Sequence, residues 1–207
     1  INVNVTLIFG LDRYQQVMDA YIRGLQKLAQ TNPSKVQDVA SVASFFISRV
    51  DSEIDKRLDS IGSDDALQLR GKAAIAQAKV AYAMFEKTFS GDAWRSLAKL
   101  GAQVQRPLWA STSTKNPAYP DTMYVDELIG AHSVNTLPDA TMEAFSDHGS
   151  IAETVTNDVD GARNILRALQ HVGIDMTAIA DQLEHEGVVS FQQSFNDLLA
   201  VLEAKRK

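Results

Sequence analysis

The chain has 207 residues, 45% of them hydrophobic and 22% charged, with a net charge of -6. This composition excludes a disordered chain and opposes broad nucleic-acid binding, because backbone phosphates need a basic face. The absence of cysteine excludes disulfides, thiolate zinc sites and cysteine nucleophiles, and suits a reducing, cytoplasmic setting; no apolar run approaches a membrane span, so neither nucleic acid nor membrane is expected as a partner.

Residues 3–9 alternate polar and apolar side chains, which is strand period two. The run begins at Ile1 without a methionine, and is read as a chain whose upstream portion is missing. Gly10 breaks it, and Asp12 stands as an N-cap before an amphipathic helix over 14–28 that ends at Asn32-Pro33-Ser34. A second strand is expected over 39–48, followed by a short charged helix over 51–58. Ser63-Asp64-Asp65 caps a long alanine-rich helix over 66–89, and another covers 92–100. Gly101 leads to a third strand at about 105–111. A short helix at 124–129, a fourth strand at 133–137 and a helix opening at Pro138 complete the alternating part. From Ile151 onward no strand is expected: residues 158–171, 175–185 and 190–205 read as three helices. Trp94, Trp109 and the phenylalanines of the last helix are assigned to the core. Lys72 and Lys79 form a solvated stripe, and Glu184-His185-Glu186 an exposed helix end. The four histidines show no metal spacing.

Strands alternating with helices imply a parallel sheet with crossover connections. Four strands cannot close a (β/α)₈ barrel, which needs eight strands and typically about 250 residues. The fold class is therefore α/β: half of a TIM barrel over 1–149, four parallel strands with crossover helices, plus a helical C-terminal extension over 150–207. The stretch 105–121, QRPLWASTSTKNPAYPD, is the most informative. A short apolar strand runs into four hydroxyls, a lysine and an amide, with Pro117 and Pro120 stiffening the exit. Hydroxyl donors and a cation at the end of a parallel strand make an anion-binding mouth, where α/β barrels place their chemistry.

INVNVTLIFGLDRY (1–14), SVASFFISRVDSEIDKRL (41–58), LRGKAAIAQAKVAY (69–82), QRPLWASTSTKNPAYPDTMYVDELIG (105–130) and VNTLPDATMEAF (134–145) resemble transaldolase, in the bacterial branch whose seventh strand carries STSTKNP. The resemblance is sharpest over 105–130 and weakens after about residue 150. It implies the C-terminal half of a (β/α)₈ barrel of the class I aldolase kind, with this chain starting at the fifth strand. It implies transfer of a dihydroxyacetone unit between sugar phosphates in the pentose phosphate pathway, through a Schiff base on a lysine, with no metal or organic cofactor. The substrates implied are fructose 6-phosphate, sedoheptulose 7-phosphate, erythrose 4-phosphate and glyceraldehyde 3-phosphate. The family's Schiff-base lysine and its two acid/base carboxylates have no counterpart in these residues, so no catalytic residue is assigned in this chain and the chain alone is expected to be inactive.

Asn4 and Thr6 point the same way on the first strand, inward in a barrel, where an amide and a hydroxyl can hold substrate hydroxyls. Spacing alone favours a polar pair facing solvent; the resemblance favours the substrate role. Ser44 is a second sugar contact. Arg49, just past the second strand, can bind a phosphate through two parallel hydrogen bonds; an ion pair with Asp51 or Glu53 is its alternative. Ser111 is placed against the sugar, with Lys115 as a second phosphate cation assisted by Ser113. Lys115 as an imine-forming amine is the rival reading, disfavoured because such a lysine needs burial or a neighbouring cation to lower its pKa. Asn135 ends the fourth strand and either lines the same mouth or caps the turn before Pro138. Two further functions stay open: a non-catalytic sugar-phosphate-binding module, or a half barrel that self-associates or pairs with a separate N-terminal half through its unpaired edges.

Overall fold

Four short runs, the first two rich in β-branched and aromatic residues, pair side by side in chain order. In the computed structural model, which describes residues 2–206, β1 (Val3–Ile8), β2 (Ser41–Phe46), β3 (Gln105–Ala110) and β4 (Val134–Asn135) form one parallel sheet in the order β1-β2-β3-β4. Parallel neighbours require a long crossover. The first is α1 (Leu11–Thr31); the second comprises α2 (Ser48–Ile61), α3 (Asp64–Leu67), α4 (Ala73–Thr88) and α5 (Asp92–Ala98). The short α6 (Met123–Asp126) links β3 to β4, and α7 (Asp139–His148), α8 (Val159–His171) and α9 (Met176–Arg206) follow. This is the expected partial (β/α)₈ barrel with a C-terminal helix.

The two faces of the sheet differ as period two dictates. Ala43, Phe45 and Trp109 turn toward the helices and are fully buried with Tyr14, Met18, Val50, Ile54 and Leu58. Phe45 meets Tyr14 and Trp109 edge-on, with ring centroids 5.6 and 6.2 Å away. Such fully buried side chains each contribute roughly 1.5–3 kcal/mol, so this layer carries much of the stability. The opposite, inner face carries Asn4 and Val42 as register partners, then Ser44 opposite Leu108 and Phe46 opposite Ala110.

Several expected elements have different bounds. The helix over 14–28 begins at Leu11 with Gly10 as its N-cap, so Asp12 sits in the first turn instead of capping. The second strand is shortened to 41–46 because Pro33–Asp38 form a 3₁₀ turn and Ser48 already starts α2, which runs on to Ile61. The fourth strand is two residues long. The alanine-rich helix expected over 66–89 is broken into α3 and α4. Gly71 there has φ 68°, and a Cβ on it would lie 2.8 Å from Cζ of Tyr119. Lys79 is not solvated: its ammonium donates to Glu127 at 2.9 Å and its side chain is 12% exposed.

The last two expected helices are one. Gly187 does not end α9 but lies in its buried face with Ile179 and Leu183, and a Cβ there would reach Leu7 Cδ2 at 2.8 Å. Close approach to β1 thus offsets the poor helix propensity of glycine. Glu184-His185-Glu186 is accordingly mid-helix, and Glu184 accepts from Arg13 at 2.9 Å. Beyond Gly187 the assignment of the phenylalanines to the core fails: Phe191 and Phe195 are 62% and 59% exposed. The stripe is apolar because its spacing is helical, and spacing cannot say what covers it. Phe195→Asp is therefore expected to change the unfolding free energy of this chain by under about 0.5 kcal/mol in urea titration, as for an exposed site, against about 3–5 kcal/mol for a core phenylalanine.

Candidate functional site

Parallel pairing brings the C-terminal ends of all four strands to one edge, and most of the residues singled out from the sequence lie at or near it. β2 and β3 are continued there by backbone: Ile47 N–H donates to Ala110 O at 3.0 Å and Ser48 N–H to Ser111 O at 2.9 Å. The hydroxyls of Ser48 and Ser111 lie 2.9 Å apart, and Ser111 takes φ 57° to turn the chain. The fully buried Thr112 donates to Asn135 Oδ1 at 2.7 Å, which ties the β3 loop to the end of β4. Asn135 is thus bound to the mouth by a tertiary contact instead of by a local cap.

Deeper on the inner face, Ser44 Oγ donates to Asn4 Oδ1 at 2.7 Å. Thr6 is exposed on β1 and touches none of the other candidates through a hydrogen bond. Lys115 is exposed and its ammonium donates to Ser113 Oγ at 2.6 Å. Arg49 is the second residue of α2, exposed, with its guanidinium carbon 5.3 Å from the centroid of the Phe46 ring. The alternative ion pairs of Arg49 do not form: Asp51 is turned inward, and Glu53 accepts from Arg57 at 2.9 Å. The structure therefore joins Asn4 with Ser44 and Ser113 with Lys115, and leaves the Arg49 guanidinium without an ion-pair partner among the described residues.

Sequence reasoning missed a second group behind this mouth. Asp51, 1% exposed, accepts from Ala74 N–H at 2.7 Å and from Tyr124 OH at 2.8 Å. Asp55 accepts from Gly71 N–H at 2.9 Å and from Tyr119 OH at 2.6 Å. The four groups border a cavity of about 540 Å³ that Lys115 and Arg70 also line. Arg70 Nε lies 3.2 Å from Asp59 Oδ1 but is not aimed at it, so this is a loose ion pair. A signal was present: Asp51 and Asp55 fall on the same helical face as Val50, Ile54 and Leu58, where unpaired charge would be costly. Burial pushes the Asp51 carboxyl up to about 6, against the opposing pull of the Ala74 N–H and Tyr124 OH bonds. Burial and then the Asp55 bond push the Tyr119 hydroxyl up to about 12. Burial and the Asp51 charge raise Tyr124 still further.

A parallel α/β sheet with polar strand tips at one edge is the architecture of a partial (β/α)₈ barrel. A model of the family described as Transaldolase/Fructose-6-phosphate aldolase matches residues 1–202. The chain is 55% identical over 200 residues to the transaldolase of Parafrankia sp. (strain EAN1pec), 52% over 203 to that of Frankia alni and 53% over 201 to that of Mycobacterium tuberculosis. These alignments cover 96%, 98% and 96% of this chain and 54% of each relative. The chain belongs to the Transaldolase/Fructose-6-phosphate aldolase family, and it spans about half the length of the curated relatives it matches.

The buried Asp51 gives a pH dependence of stability with a definite sign. Its carboxyl is raised from 3.8 unfolded to about 6 folded, so the folded chain holds the proton more tightly. Stability is highest below about pH 4 with respect to this group and falls as pH rises through 6, by at most about 3 kcal/mol. Asp51→Asn keeps an acceptor for Ala74 and can donate to Tyr124. It is expected to flatten the dependence of the melting temperature between pH 4 and 6.5, in thermal melts run beside the parent chain.

Proposed function

We propose that this chain carries the substrate-holding half of a transaldolase site. The observation that carries the reading is the 52–55% identity to proteins named transaldolase, sustained over 96–98% of the chain. Arg49 and Lys115, with Ser113, bind the phosphate; Asn4, Thr6, Ser44, Ser111 and Asn135 hold the sugar hydroxyls. Two arrangements support this. Arg49 is exposed at the start of α2 with no competing carboxylate, and Lys115 is held by a neutral hydroxyl rather than by an acid. An arginine fork and an ammonium suit a dianionic phosphate ester.

The reaction is transfer of a dihydroxyacetone unit from a ketose phosphate to an aldose phosphate. A lysine amine attacks the ketose carbonyl, water leaves as the imine forms, and carbon–carbon cleavage releases an aldose. The reverse steps join the three-carbon unit to the acceptor. In this reading the attacking amine is not among this chain's lysines, and the chain alone does not turn over. Lys115 is exposed and bonded to Ser113, a setting that favours a charged ammonium over a neutral nucleophile. Fructose 6-phosphate, sedoheptulose 7-phosphate, erythrose 4-phosphate and glyceraldehyde 3-phosphate are the proposed ligands, in a cytoplasmic pentose phosphate pathway. The exposed stripe of α9 beyond Gly187 favours a second reading, association of this half barrel with a complementary half or with another copy.

Two measurements test the assignment. Incubation with fructose 6-phosphate and borohydride, followed by peptide mass mapping, is expected to leave every lysine unmodified; an adduct at Lys115 would make it the nucleophile. Arg49→Ala and Lys115→Met are each expected to weaken fructose 6-phosphate binding about tenfold in calorimetric titration, the size of a lost charge-assisted contact. Unchanged affinity in both variants removes the phosphate assignment.

A further inference from the structure

The buried carboxylates follow Arg49 on α2 and border the cavity that Lys115 also lines. Asp55 lies six residues after Arg49 on α2, and Tyr119 four residues after Lys115. Residues 114–121 form a closed loop. Thr114 Oγ1 donates to Pro120 O and Asp121 O at 3.0 and 3.2 Å. Tyr119 N–H donates to Asn116 O at 3.1 Å, and Ala118 N–H to Asn116 Oδ1 at 3.0 Å. With Pro117 and Pro120 fixing two φ angles inside it, the loop is braced internally. Its side-chain hydrogen bond to α2 among the described residues is Tyr119 OH to Asp55 Oδ2, at 2.6 Å. The Tyr119 ring is also seated: it occupies the space a Cβ on Gly71 would need, at 2.8 Å from Cζ. Asp55 cannot swing away, since its other oxygen accepts from Gly71 N–H. Asp51 repeats the arrangement one turn earlier, holding Tyr124 of α6 and Ala74 N–H.

We propose that Tyr119 and Asp55 are positioning residues: their part-buried hydrogen bond fixes the loop carrying Lys115 against the helix whose first turn carries Arg49, and so sets the affinity for a phosphoryl group. This rests on the phosphate assignment made above. Neither residue touches the ligand. Tyr119 acts through Lys115, so its removal loosens the ammonium while leaving the charges of the mouth intact. A fixed spacing between two cations lowers the ordering cost of binding.

The test uses the full chain, titrated with inorganic phosphate and with fructose 6-phosphate. Four forms are compared: the parent, Tyr119→Phe, Lys115→Met and the double variant. Tyr119→Phe is expected to weaken both ligands by about threefold to tenfold, the size of one lost hydrogen bond, and to add nothing in the Lys115→Met background. Asp55→Asn, which keeps an acceptor for Gly71 and a partner for the phenol, is expected to restore most of the affinity that Asp55→Ala loses. Hydrogen exchange supplies a ligand-free readout: the amides of residues 113–116 are expected to exchange faster in Tyr119→Phe while those of α2 do not change. Equal weakening by Tyr119→Phe in both backgrounds, no weakening although Lys115→Met weakens binding, or unaltered exchange overturns the tether and leaves the phosphate assignment standing. A parent chain that binds neither ligand overturns the phosphate assignment and this proposal with it, and a Lys115→Met variant that binds both normally removes Lys115 from the site and overturns this proposal.

Discussion

Two carboxylates buried in the apolar face of α2 set the terms for much of this molecule. A buried Asp demands hydrogen-bond donors. Asp51 and Asp55 draw theirs from Ala74, Tyr124, Gly71 and Tyr119. Satisfying them divides a continuous alanine-rich segment into α3 and α4, because Gly71 must present its N–H from a left-handed conformation. It also docks α6 and the loop after β3 onto α2. Among the described residues no cation pairs with Asp51, so burial, helped by the nearby Asp55 charge, outweighs its hydrogen bonds from Ala74 and Tyr124 and raises its carboxyl to about 6.

That demand connects the interior to the mouth. Arg49 shares α2 with the carboxylate pair and Lys115 stands on the loop that Asp55 holds through Tyr119, while Ser111 meets Ser48 at the start of α2 and Thr112 ties the β3 loop to Asn135 of β4. The parallel sheet supplies the rest. It gathers every strand's C-terminal end on one edge without any residue being chosen for it, so polar side chains at strand tips converge by topology alone. At β1, α9 passes over Leu7 and carries its apolar stripe onward into solvent.

The strand–helix alternation was legible from hydrophobic period, and the polar tips of the third strand from their composition. Asn4 and Ser44 could be picked as candidates, but not that Ser44 donates to Asn4: register pairs Asn4 with Val42, and Ser44 reaches it diagonally from two residues further along β2. Arg49 was legible as a cation after a strand. That its neighbour Asp51 turns inward instead of pairing with it was not, because an acid on a charged-looking helix reads as solvated. Thr112 reads as one of four hydroxyls in a row, yet it is the one that donates to Asn135 of β4. Lys79 reads as surface until Glu127 arrives from 48 residues away.

From local order alone the chain determines its element sequence, its parallel α/β class and the chemistry available at each strand end. These follow from side-chain period and from the stereochemistry of Gly and Pro, which act over a few residues. The tertiary structure decided where helices break and where they continue. Gly71 interrupts one because Tyr119 and Asp55 need it there, and Gly187 sustains another because Leu7 comes close. Both are glycines in helical surroundings, and a distant neighbour in each case, not propensity, selects the outcome.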